Sequence, residues 1–92
     1  MPIVTLQVTI PSGGKVQVST SPTSVRFIDF QNNGATNAMR VGDSTVSSTV
    51  GHNLVKSGGE LAIETGGNYF CYLSDWWISG TSADVCDITY AT

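Results

Sequence analysis

Val4, Leu6, Val8 and Ile10 alternate with Thr5, Gln7 and Thr9 at the start of the chain. This strict period of two predicts a strand with one wet face. "PSGG" at 11–14 reads as a turn, and Val16 and Val18 resume the alternation in "KVQVST", so the first two strands are expected to form a hairpin. "SPT" breaks the chain at 21–23 before "SVRFIDFQNN". There Val25 and Phe27 lie in one register and Ile28 and Phe30 in the other. That pattern fits a central strand covered on both sides, or one crossed by a bulge. "NNGATN" supplies residues that accept positive φ and bond their own backbone, which predicts a turn. "AMRVG" then turns Met39 and Val41 inward and Arg40 outward, and "GDSTVSS" turns again.

Two glycine pairs, 58–59 and 66–67, bracket "ELAIE", a strand with Leu61 and Ile63 inward. "NYFCYL" predicts another short strand, "SDWWISG" a turn followed by a strand, "TSAD" a turn and "VCDITYA" the closing strand. About eight short strands joined by glycine-rich turns, with no helical period and no internal repeat, predict an all-β fold. The expected form is a small β-sandwich, jelly-roll-like, or a small barrel, with residues 1–92 as one domain.

Composition agrees with the pattern. Ten Val and six Ile against four Leu favour the pleated surface of a sheet, and 22 Ser and Thr with ten Gly are too many for a helical bundle. A 92-residue chain buries a limited core, so apolar surface is expected to remain for contacts. The net charge is −3, and the four cations Lys15, Arg26, Arg40 and Lys56 form no cluster in the sequence. A phosphate backbone has nothing to run along, and direct nucleic-acid binding is not expected. The first fifteen residues lack the basic and apolar regions of a signal peptide, and no apolar run approaches the ~20 residues of a membrane span. Folding in the cytoplasm is therefore the expectation, with no membrane partner. Cys71 and Cys86, outside any zinc-type spacing, are expected as reduced, packed thiols.

Candidate chemistry is sparse. His52 stands between Gly51 and Asn53 with no nucleophile motif, GxSxG or HExxH beside it, and reads as a surface or loop residue. Asp43 has no neighbouring carboxylates to share a metal, and Asp75, Asp84 and Asp87 show no EF-type spacing. No enzyme activity, metal or cofactor is expected. The aromatics stand out more, since "YFCYLSDWW" holds five within nine residues. Neighbours on a strand point to opposite faces, so Trp76 and Trp77 cannot both fill one core. One of them faces a sugar or a partner protein, or is half-covered by a loop.

From about Ile28 onward the chain resembles small structural proteins of tailed bacteriophages. The resemblance rests on the "NNG" turn at 32–34, "MRVGDSTV" at 39–46, "GHNLVKSGG" at 51–59, the Trp-containing strand at 76–78, and "SGTSADVCDITY" at 79–90. It covers about two-thirds of the chain and consists of turn and strand residues rather than a catalytic signature. It implies a non-enzymatic virion protein. Among such proteins the chain most resembles capsid decoration (cement) proteins, which sit outside the head, often as trimers, and bridge major capsid subunits. The implied partners are the major capsid protein and the chain itself as a homotrimer, and the implied location is the capsid exterior. The candidate interface residues are Trp76, Trp77, Tyr72, Ile3 and Val4, the last two from the N-terminal strand as a template for pairing. Other readings stay open: a head fibre, neck or tail component, or a carbohydrate-binding module stacking sugars on Trp76, Trp77 and Tyr72.

Overall fold

A computed structural model describes residues 2–65 and 71–92. Among these residues, ten strands follow in chain order: β1 (Ile3–Thr9), β2 (Lys15–Gln17), β3 (Ser24–Val25), β4 (Phe27–Asn32), β5 (Met39–Gly42), β6 (His52–Leu54), β7 (Glu60–Glu64), β8 (Cys71–Tyr72), β9 (Trp77–Ser79) and β10 (Val85–Ala91). A 3-10 turn over Leu73–Asp75 is the only helical element among the described residues. β1 pairs with β10, β2 with β9, β3 with β8, β4 with β7 and β5 with β6, all antiparallel. The chain is thus one long hairpin with its tip in the loop between β5 and β6, folded over on itself. Two further pairings, β4 with β10 and β5 with β9, close the roll. They leave a first sheet ordered β1-β10-β4-β7, a second ordered β2-β9-β5-β6, and the short pair β3-β8. This is the double Greek key of an eight-stranded jelly roll, with one extra short pair.

The expected hairpin of β1 and β2 does not form. The "PSGG" turn is present, closed by the Gly14 N–H on the Pro11 carbonyl at 2.9 Å, but it carries the chain from the first sheet to the second. Alternation identifies each strand without choosing its partner. Here the partner strands turn the same corner together: Ala83 N–H donates to Ile10 O at 2.8 Å, and Gly80 N–H to Gly14 O at 2.9 Å. The double apolar register of 24–32 has its cause at Arg26, which separates β3 from β4. Val25 is buried before the break, and Ile28 and Phe30 after it.

Met39 and Val41 point inward and Arg40 outward, as their alternation predicts. Leu61 and Ile63 face the core from β7 but are only half-buried, because β7 is an edge strand. Tyr69 and Phe70 of the expected "NYFCYL" strand, and the second glycine pair, lie outside the described residues; Cys71 and Tyr72 form β8. The core between the sheets holds Val8, Ile28, Phe30, Cys86 and Ile88 from the first and Met39, Val41, Leu54 and Ile78 from the second. Asn32 is the single buried polar residue among those described. Its side chain can sit there because it is hydrogen-bonded to the Asn37 and Leu54 carbonyls and the Gly34 N–H, while its backbone N–H donates to the Gly59 carbonyl at 2.8 Å. A Cβ on Gly59 would lie 2.4 Å from the Val55 backbone, so the close turn needs glycine.

Candidate functional site

Sheet edges are the places where a β-sandwich can add a partner strand, and natural proteins guard them with charge, brevity or proline. The two sheets end in β1, β7, β2 and β6. β7 carries Glu60 and Glu64, while β2 and β6 have three residues each. β1 differs: it runs seven residues, "IVTLQVT", with neither charge nor proline. Ile3 is 73% exposed and Val4 37%. Half of this strand's backbone donors and acceptors face away from β10, because antiparallel ladders bond alternate residues to each side. The predicted interface residues Ile3 and Val4 therefore lie on the one edge that is long and uncharged.

Trp76 and Trp77 of the predicted set lie on different faces. Trp76 turns toward the core, its ring centroid 4.9 Å from that of Phe30 at an interplanar angle of 51°. Its indole N–H donates to Cys71 Sγ at 3.5 Å. Its outer edge lines an apolar pocket of about 270 Å³ with Gly42, Asp43, Cys71 and Asp75. Trp77 lies on the outer face of the second sheet, with Lys15 Nζ 5.4 Å from its ring centroid. Tyr72 is on β8 and 40% exposed, its backbone N–H donating to Asp75 Oδ2 at 3.2 Å. Strand alternation sends Trp76 and Trp77 to opposite sides. Trp76 packs against the core, and Trp77 belongs to the outer face of the second sheet.

Four of the seven carboxylates gather on one outer face, which the scattered sequence positions did not reveal. The register puts Asp29, Glu60, Glu64 and Asp87 on the outer face of the first sheet. There Gln7 Nε2 donates to Asp87 Oδ1 at 2.8 Å. The Asp29 carboxyl is held above its ordinary pKa, first by burial, then by its hydrogen bond to Glu60 and repulsion from it. On the second sheet, Lys15, Ser79, Arg40 and Asn53 form one row across all four strands. Arg40 is fixed by the backbone, Nε donating to Ser48 O at 3.1 Å and Nη1 to Gly51 O at 2.8 Å. Lys15 Nζ donates to the Ser44 carbonyl.

The remaining polar residues are structural. Asp43 accepts from Thr45 N–H at 2.9 Å and Thr45 Oγ1 at 2.6 Å, and these bonds hold its carboxyl below the usual range. His52 is exposed on β6, opposite Val41. Asp75, Asp84 and Asp87 go to the 3-10 turn, the corner before β10 and the outer face of β10. Among the described residues no three His, Cys, Asp or Glu side chains gather as a metal site would require. Cys71 is half-buried and Cys86 fully buried, both as free thiols. Comparison with protein-family models and with curated proteins finds no match.

Proposed function

We propose that the protein is a structural component of a tailed-phage virion that decorates and stabilises the outside of the capsid by bridging major capsid subunits. The reading is supported by the residue pattern shared with small virion proteins and by a jelly-roll frame. The fold hosts many functions, so it lends no specificity by itself. The observation that carries most weight is the β1 edge, with its exposed Ile3 and Val4. An added strand gains main-chain hydrogen bonds along such an edge and apolar contact from alternate side chains. A clamp needs only a modest interface of this kind, because many copies act together on one shell. The free protein is proposed to be a homotrimer, on the resemblance to decoration proteins.

The test mixes purified protein with undecorated, expanded heads and measures occupancy, with light scattering of the free protein. Saturable binding is expected, and Val4→Lys and Thr5→Lys should abolish it while leaving the β-type circular dichroism spectrum unchanged. Binding only to unexpanded shells rejects stabilisation of the mature head. Binding to isolated tails but not to heads moves the protein elsewhere in the virion. A free monomer removes the trimer alone.

A further inference from the structure

The row on the second sheet borders a pocket of about 220 Å³ lined by Arg40, Asn53, Ser79, Ser48 and Thr81, with Met39 beneath. Three observations converge on it. The Arg40 guanidinium is already ordered by two backbone carbonyls, so a ligand need not meet the entropy of fixing it. Both of those acceptors are neutral, so the charge of Arg40 is left uncompensated by them. Four of the seven carboxylates lie on the opposite outer face of the sandwich, and Asp43, the carboxylate beside Lys15 on this side, does not line the pocket.

The lining also selects among anions. Only one cation lines the pocket, since Lys15 is held away by the Ser44 carbonyl and the ring of Trp77. The three N–H donors left on Arg40, two on Nη2 and one on Nη1, suffice for one carboxylate, whereas a phosphate dianion calls for more positive charge or a cluster of backbone donors. The other polar groups, one amide and three hydroxyls, both donate and accept, as a polyhydroxylated ligand requires. We propose that this pocket binds a carboxylate-bearing sugar. Arg40 takes the carboxylate, and Asn53, Ser79 and Thr81 take the hydroxyls. The site lies on the outer face of the second sheet, away from the β1 edge, and stands or falls independently of the virion reading.

The test follows backbone amide shifts of the labelled full chain during titration with sodium glucuronate. Parallel titrations use methyl glucoside, sodium acetate, inorganic phosphate and an oligogalacturonate. Saturable shifts centred on Arg40, Asn53 and Ser79 are expected, with a dissociation constant of about 1 mM. Methyl glucoside and acetate should each bind about tenfold more weakly, because each lacks half of the recognised groups. Arg40→Gln should abolish binding. As that change also frees the loop at 48–51, Asn53→Ala and Ser79→Ala serve as second variants that keep the Arg40 bonds. Each should weaken binding by about threefold or more. Tighter binding of the oligogalacturonate than of glucuronate identifies a polymer as the source, and equal binding a free sugar acid. No saturable shift with glucuronate overturns the proposal. So does binding of methyl glucoside, acetate or phosphate as tight as that of glucuronate, or wild-type binding in both alanine variants.

Discussion

Asn32 on β4 donates its side-chain amide to the Leu54 carbonyl on β6, 3.0 Å away, and so links the first sheet to the second through the core. The same nitrogen donates to Asn37 O at 2.9 Å, and Oδ1 accepts the Gly34 N–H at 2.8 Å. One buried side chain thereby satisfies the end of β4, the loop after it and the strand facing it. Asn32→Leu fits the apolar surroundings but leaves two carbonyls and one N–H without that partner. The expected loss is about 2–4 kcal/mol, read from urea unfolding as a lower midpoint with unchanged slope. A change under about 0.5 kcal/mol would mean that water or a backbone shift replaces the network.

The sequence made the strands legible but not their partners. Met39 and Val41 were readable because period two reports burial directly. The expected β1–β2 hairpin does not form, because a turn signal such as "PSGG" marks a reversal and leaves open which sheet the chain enters. Asn32 read as a turn former in "NNG", yet it shares the inward parity of Ile28 and Phe30, which was the signal that it is buried. The row of Lys15, Ser79, Arg40 and Asn53 draws on four strands spread over most of the chain. It exists only once their registers are fixed.

The two tryptophans give opposite expectations. Trp76 packs on Phe30 at the rim of the core, and Trp76→Ala should cost about 3 kcal/mol. Trp77 lies on an outer face under Lys15, and its replacement by alanine should cost less than about 1 kcal/mol. Chemical denaturation of the two variants checks the ranking. Equal losses, or the reverse order, would show the side assignments to be wrong.

Thiol chemistry should separate the cysteines. Burial pushes the Cys86 thiol up to about 12, so its thiolate is scarce at neutral pH as well as inaccessible. Cys71 is half-buried beside Trp76. A colorimetric disulfide reagent should titrate Cys71 in the native protein and both thiols in denaturant. Fast native reaction of Cys86 would contradict its packing, and the absence of any thiol in denaturant would show that the two have paired.

Asp29 should make the protein more tolerant of mild acid than its carboxylate content suggests. Its pKa in the fold is raised above the ordinary 3.8, so the native state binds that proton more tightly than the unfolded chain does. Stability from this group therefore falls as pH rises through the interval between the two values. Above the folded value the charged form is a standing cost, imposed by burial and by Glu60, and below 3.8 both states are protonated and the cost disappears. Asn keeps the shape and can donate to Glu60 without a charge. Asp29→Asn should thus raise the melting temperature at pH 7, with the gain shrinking on acidification and vanishing below about pH 4. Glu60→Gln should give part of the same gain, and the two changes together less than their sum, because both relieve one repulsion. Melting curves of the three variants from pH 3 to 8 carry the test. A less stable Asn variant at pH 7, or a gain undiminished at pH 3, would show that the Asp29–Glu60 pair is not what raises the energy of this face.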